Sequence, residues 1–327
     1  MGYGDYSHEA HEAITRARAG RPAQEVFKQR SCHALMNPKG VRSRESRDTA
    51  EHPESLAIAF ALDVTGSMGD IPRLLATQEL PKFMRLLEVC KVRDPQVLFC
   101  AVGDAISDQA PLQVGQFETT AELMDQWLTW SWIEGGGGPG IQESYELALY
   151  FLAEHTEMDC LLKRDQRGYA FITGDEHPFP AVSRHQVEAI IGEQVDADLP
   201  TEAVVAALTQ SYHPFFLIPD ASRASRCERR WRDLLGDQTI VMEGPEMTCH
   251  VAAGLVALTE GVIKNLDELA DLLLTERVDK KRVNAVVRAI GPYAATLSAS
   301  GAPMPKMTAA ALPGESRSSF WKRLLGG

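Results

Sequence analysis

The chain lacks several features that would place it in a common class. Its six cysteines form no Cys-x-x-Cys pair, and its first residues show neither the basic start nor the apolar core of a signal peptide. No run approaches the ~20 apolar residues of a membrane helix. Scattered cysteines in apolar surroundings are typical of buried thiols in a reducing compartment. The sequence therefore predicts a cytoplasmic protein with no membrane partner and no disulfide framework.

Two catalytic motifs are also missing. The chain has no Gly-x-Ser-x-Gly nucleophile elbow, and its glycine run GGGGPG near residue 135 lacks the Gly-Lys-Ser/Thr of a phosphate loop. Glycines here would instead permit close backbone approach and tight turning. These absences favour a binding protein over an enzyme.

Acidic residues outnumber basic ones, 45 to 33, in 327 residues, and the net charge is −12. The negative charge is concentrated in residues 51–276, whereas residues 1–50 and 277–327 are net positive. An acidic central region repels phosphate backbones, so no nucleic-acid partner is expected. The basic ends could fold onto the acidic region, meet an acidic partner, or be solvated tails.

Apolar runs that end in Gly or Asp alternate with segments of helical period. This pattern predicts an α/β fold, a doubly wound and mostly parallel sheet with helices on both faces. The predicted strands are residues 56–63, 97–103, 113–117, 168–174, 212–218 and 238–243.

The strongest concentration of polar chemistry follows the first of these strands. Asp63, Thr65 and Ser67 stand at alternating positions where the chain leaves the strand, so their oxygens can converge on one point. Mg²⁺ prefers oxygen ligands and keeps several waters, so this set is suited to it and leaves coordination positions free. The alternative for each hydroxyl is a capping role at the start of the following helix.

The pattern Asp63-x-Thr65-x-Ser67 after a buried strand, with a glycine-rich loop and then Asp175 at the end of another strand, resembles the von Willebrand factor A domain. The resemblance covers roughly residues 55–245. It implies a Rossmann-like sheet and a metal-ion-dependent adhesion site holding Mg²⁺ or another divalent cation. Asp63, Thr65 and Ser67 match the first element of that site, and Asp175 matches the last.

One element of the family pattern is absent. No threonine follows the glycine loop, so Glu143 or Ser144 would have to substitute, or the position is lost. The resemblance implies an adaptor whose metal recognises an Asp or Glu of a protein partner. Bacterial relatives of that family without secretion signals resemble adaptors for AAA+ ATPases of the MoxR type or for chelatases, and some belong to conflict or stress systems, so the resemblance implies an AAA+ ATPase as one such partner.

Two other functions stay open at this stage. A metal-activated water beside Glu176 or His177 would make a hydrolase, and a decayed site would leave only a scaffold.

The predicted organisation has four parts. Residues 1–50 form an N-terminal extension, 51–260 the von Willebrand factor A domain, 261–295 a C-terminal helical segment, and 296–327 a linker with a short amphipathic tail.

Overall fold

The computed structural model describes residues 4–66, 68, 70–136 and 140–300, with side chains through residue 298. The strands are β1 (Arg44–Ser46), β2 (Leu56–Asp63), β3 (Pro95–Val102), β4 (Leu112–Val114), β5 (Gln142–Glu143), β6 (Thr156–Met158), β7 (Gly168–Thr173), β8 (His177–Pro178), β9 (Ala181–Val182), β10 (Leu199–Pro200), β11 (Tyr212–Ile218) and β12 (Thr239–Val241). The first helices are α1 (His8–Arg16), α2 (Ala23–Val26), α3 (Asp70–Leu74), α4 (Leu80–Val89), α5 (Ala121–Thr129) and α6 (Tyr145–Glu154). The others are α7 (Asp159–Arg164), α8 (Arg184–Gln186), α9 (Thr201–Ser211), α10 (Ala221–Leu235), α11 (Thr248–Thr259), α12 (Leu266–Thr275) and α13 (Lys280–Ser300).

A six-stranded sheet in the order β12-β11-β7-β2-β3-β4 forms the centre of the molecule. Every neighbouring pair is parallel except β3 and β4, which are antiparallel. The predicted α/β class with a mostly parallel sheet is confirmed. The predicted strand at 113–117 is shorter than expected and forms this antiparallel edge.

The central strand β2 shows why helices cover both faces of the sheet. All eight of its residues are buried. Side chains alternate between the faces of a strand, so Phe60 and its neighbours at every second position join a core built with α4, α11 and α13. Ala59 and the other β2 alanines join a second core built with α6, α9 and α10.

The helical segment after β2 contains Pro81, which would remove a hydrogen bond from the interior of a regular helix. α3 and α4 are joined by a π-helical turn, Leu75–Glu79, so the chain stays helical from Asp70 to Val89. Pro81 lies at the start of α4, just after the wide turn. A π turn relieves the missing N–H and the ring clash of a proline within one continuous helix.

The N-terminal residues pack on the rest of the chain. α1 lies against α4 and α5, and β1 pairs in parallel with β6. Arg47 forms ion pairs with Glu157 and Asp159 of the acidic region. Basic residues of this end therefore contact acidic residues of the middle.

The C-terminal helices share the core of the sheet. Leu273 of α12 and Ile290 of α13 are buried in the same hydrophobic cluster as Phe60. α13 continues to Ser300, beyond the predicted start of the linker at residue 296. The remainder of the predicted linker and tail, from residue 301, lies outside the described residues.

All six cysteines are free, as the absence of paired spacing indicated. Across the described ranges, no helix is both long enough and apolar enough to cross a bilayer.

Candidate functional site

The candidate site lies where the order of the strands in the sheet reverses. The chain runs from β2 outward through β3 to β4, and then returns to the other side of β2 with β7. In open α/β sheets the carboxyl ends of strands at such a point form the functional crevice. Asp63 ends β2 and Asp175 follows β7, so both predicted residues lie at this edge.

Asp63 is fully buried, and both of its carboxylate oxygens are hydrogen-bonded. Oδ1 accepts from the backbone N–H of Thr65 at 2.9 Å and from its hydroxyl at 2.5 Å. Oδ2 accepts from the hydroxyl of Tyr145 at 2.5 Å. Burial raises the pKa of Asp63 to about 6, although the hydrogen bonds from Thr65 and Tyr145 oppose the shift.

Among the described residues, Glu143 is one of the buried groups near the strand ends with an unpaired oxygen, together with Glu146 and Thr173. Its side chain is buried, and its Oε2 has no hydrogen-bond partner among the described residues. Burial raises its pKa to about 9, and the charges of Asp63, Glu176, Asp104 and Asp108 add to the shift. The pairing of β5 with β8 places Glu143 beside the chain segment that follows Asp175.

Ser144, the other candidate for the missing threonine, is already engaged. Its hydroxyl oxygen accepts a hydrogen bond from the N–H of Ala105 at 2.9 Å, and its own N–H donates to the carbonyl of Gly103. These contacts attach the start of α6 to the loop after β3. Of the two candidates, Glu143 is therefore the one with an oxygen left over.

Asp175 lies next to two arginines of α10. Its Oδ2 is 3.3 Å from Nη1 of Arg223 and 3.6 Å from Nη1 of Arg226. Arg223 also contacts Asp220 through Nε at 3.0 Å. Asp175 is buried, whereas the side chain of Arg226 is largely exposed, so this carboxylate already has cationic neighbours at the rim of the crevice.

The glycine loop lies against the segment that follows β2. The N–H of Gly66 donates to the carbonyl of Gly136 at 2.9 Å. A Cβ on Gly66 would lie 3.4 Å from the carbonyl oxygen of Gly135, and a Cβ on Gly136 would collide with the carboxylate of Asp108. Gly135 has φ +68°, a conformation that favours glycine. The backbone conformation of Gly135 therefore favours glycine, whereas a Cβ on Gly66 would make only an ordinary contact and one on Gly136 would displace the flexible carboxylate of Asp108.

Not every predicted site residue can be placed. Ser67 lies outside the described residues. Glu176 and His177 follow Asp175, and the backbone carbonyl of Glu176 accepts from Nε1 of Trp231 at 2.9 Å. Within the part of the chain that the structure describes, no three His, Cys, Asp or Glu side chains form a metal-binding group. A cation here would need hydroxyl oxygens as well as carboxylates.

Sequence reasoning missed two residues of the site, Tyr145 and Arg223. Tyr145 begins α6 directly after Ser144, and its first-turn position beside the glycine loop was the available signal. Arg223 belongs to the arginine-rich stretch of α10, whose charge pattern alone does not indicate a partner 48 residues away.

Comparisons with known proteins give little further information. No protein-family model matches the chain, and no curated protein matches it. Two similar solved structures are proximal thread matrix protein 1 from the mussel byssus, with 11% identity and a TM-score of 0.40, and the pilus adhesin SpaC from Lactobacillus rhamnosus GG, with 10% identity and a TM-score of 0.42.

The first match covers 66% of this chain and 49% of the byssus protein, and the second covers 69% of this chain and 31% of the adhesin. The chain thus spans half or less of either protein. At these identities and TM-scores the similarity carries no argument about function, and the conclusion that stands is the α/β fold with its mostly parallel sheet.

Proposed function

We propose that this protein is a divalent-metal-dependent adaptor of the von Willebrand factor A type, which binds an acidic side chain of a protein partner at the strand-end crevice. The observation that carries the proposal is Glu143, a buried carboxyl group with an unpartnered oxygen close to the buried Asp63. Buried polar groups are nearly always paired, and an exception calls for an explanation such as an ion. A divalent cation would offset the mutual repulsion of these carboxylates.

The donor set fits a hard cation. Asp63, Thr65 and Glu143 offer carboxylate and hydroxyl oxygens, which Mg²⁺ prefers, and these three residues would hold it. As the resemblance implies, Asp175 would not bind the ion directly. It would accept hydrogen bonds from a water molecule on the ion or from the hydroxyl groups that hold the ion. A bound Mg²⁺ supplies a Lewis acid with a position open to an outside carboxylate.

The rim of the crevice offers apolar contacts to the same partner. Ile106 and Ile141 are 72% and 68% exposed, the highest values among the large apolar residues that the structure describes. The N–H of Ile106 donates to Oδ1 of Asp104, and the carbonyl of Ile141 accepts from His177, so both residues lie beside the crevice. We infer that the partner presents a large apolar side chain next to its acidic one.

The resemblance implies an AAA+ ATPase of the MoxR type as the partner, and this stays part of the proposal. The hydrolase that would use Glu176 and His177 also stays a prediction, as does the scaffold with a decayed site.

Turnover of a phosphoester or peptide that disappears in Glu176→Ala would favour the hydrolase. Unchanged binding behaviour in Asp63→Ala would favour the scaffold.

Calorimetric titration of the full chain with Mg²⁺ and with Mn²⁺ tests the proposal. We expect saturable binding that is lost in Asp63→Asn and in Glu143→Gln, each of which keeps the shape of the side chain. Asp125→Asn is the matched control, because Asp125 is also a buried carboxyl group but both of its oxygens accept hydrogen bonds from the guanidinium group of Arg18. Equal metal affinity in all four proteins would exclude a site at Asp63 and Glu143.

A further inference from the structure

We propose that Tyr145 controls the access of a divalent cation to Asp63, because its hydroxyl occupies the carboxylate oxygen that the cation would otherwise use. The inference rests on the proposed function and names the residue that regulates the same site. It also concerns the missing threonine, since Tyr145 brings a hydroxyl to Asp63 from the segment that follows the glycine loop.

The hydroxyl of Tyr145 occupies space that a side chain at the end of β7 would otherwise fill. Gly174 follows β7 directly, and a Cβ at this position would collide with the hydroxyl of Tyr145. Burial raises the pKa of the Tyr145 hydroxyl, and the charges of Asp63 and Asp175 add to the shift, so the ring lies close to both aspartates. Gly174 therefore creates the space in which the phenol reaches Asp63, between the two predicted strand-end aspartates.

Aromatic packing holds the ring of Tyr145 in this place. It makes edge contacts with Phe216, at a centroid distance of 5.5 Å, and with Trp231, at 5.6 Å. Phe216 and Trp231 are themselves stacked at 3.8 Å, and all three side chains are fully buried. The phenol cannot leave Asp63 without disturbing this cluster, so its hydrogen bond persists in the metal-free protein.

The hydroxyl of Tyr145 should stabilise the protein when no metal is bound. Removal of the hydroxyl leaves Oδ2 of Asp63 buried without this donor, and an unsatisfied buried carboxylate oxygen is costly. Cation binding would remove that cost. Tyr145→Phe should therefore melt at a lower temperature without metal, bind the cation about tenfold more tightly, and show a larger metal-induced rise in melting temperature.

The experiment measures Mn²⁺ and Mg²⁺ affinity and melting temperature for the full-length wild type, Tyr145→Phe and Tyr150→Phe. Tyr150 is the matched control: it lies on the same helix, is equally buried, and donates to Oε2 of Glu193 at 2.9 Å. Tyr150→Phe should change the melting temperature but not the metal affinity. A metal-induced change in the near-ultraviolet tyrosine band should appear in wild type and Tyr150→Phe and be absent in Tyr145→Phe.

Gly174→Ala provides an independent variant, because the added methyl group should push the phenol off Asp63 without deleting it. It should also raise metal affinity. Equal or weaker affinity in Tyr145→Phe would overturn the inference while leaving the proposed metal site intact. Binding by Tyr145→Phe alone would support the inference, whereas no binding by any of these proteins would overturn both.

Discussion

The guanidinium group of Arg18 makes two hydrogen bonds to the carboxylate of Asp125, one of them 2.7 Å between Nη2 and Oδ2. This pair joins the N-terminal segment to α5 across 107 positions of sequence. Burial raises the pKa of Asp125, and the positive charge of Arg18 opposes that shift. The basic N-terminal segment is thus attached to the acidic region by a specific, largely buried contact.

Arg18→Met should lower the free energy of unfolding by about 2–3 kcal/mol, because it leaves the buried carboxylate of Asp125 without its cation. Chemical denaturation measures the change. Arg16→Met is the control: Arg16 is exposed and, within the described ranges, pairs with Glu12 alone on the same helix, so its loss should cost less than about 0.5 kcal/mol. Equal effects of the two substitutions would show that the Arg18 contact does not stabilise the fold.

Gly254 allows α11 to approach the C-terminal helices closely. A Cβ at this position would lie 2.9 Å from Cδ1 of Ile290 and 3.0 Å from Cδ2 of Leu269. Gly254→Ala should therefore destabilise the protein by about 1 kcal/mol despite the better helix propensity of alanine. Ile290→Val alone should cost about 1 kcal/mol through a small cavity.

The double variant Gly254→Ala, Ile290→Val should be more stable than the sum of the single effects implies, since the added methyl group fills the space left by Cδ1. Denaturant unfolding of the four proteins gives the coupling energy. Additive effects would indicate that α11 and α13 are not packed as closely as described.

His213 lies at the opposite end of the strands from the candidate site, near the start of β11. Its protonation should make the stability of the protein depend on pH. Burial lowers the pKa of this histidine to about 3, and the charge of Arg167 contributes. The unfolded chain, with a histidine pKa of about 6.5, binds the proton first as the pH falls. Stability should therefore decline below about pH 6.5, and the contribution of His213 should reach about 2 kcal/mol at pH 5.

His213→Phe keeps an aromatic ring against Tyr169, which stacks on His213 at 5.2 Å. Unfolding by denaturant at pH 7 and pH 5 should show a smaller loss of stability in this variant than in the wild type. Parallel pH profiles of the two proteins would contradict the prediction.

Ile106 and Ile141 should determine the apolar part of partner recognition. Selection of a displayed peptide library on the full chain with Mg²⁺ should enrich peptides that carry an acidic residue beside a large apolar one. The double variant Ile106→Ser, Ile141→Ser should lose the apolar preference and keep the acidic one. Leu162→Ser is the control, because Leu162 is similarly exposed, at 64%, but lies on α7.

Unchanged selection by the double variant would exclude the two isoleucines from the docking surface. Loss of the apolar preference in Leu162→Ser would point to a docking surface elsewhere.

The amino-acid sequence by itself determined the sheet and one edge of the site. The run Leu56–Asp63 is apolar up to its last residue, which is a carboxylate. Local composition of this kind predicts a buried strand with Asp63 at its carboxyl end. The same reasoning placed Asp175 after β7. Because the carboxyl ends of parallel strands meet at one edge of the sheet, the sequence could predict that Asp63 and Asp175 lie at the same edge.

The tertiary structure alone decided which side chains satisfy those aspartates. Tyr145 and Asp63 are 82 positions apart, and Arg223 and Asp175 are 48 apart. Contacts at such separations depend on the order of the strands and on where α6 and α10 pack, and neither depends on local composition. A side chain that completes a buried site is chosen by proximity in the folded core, which a periodic pattern along the chain does not encode.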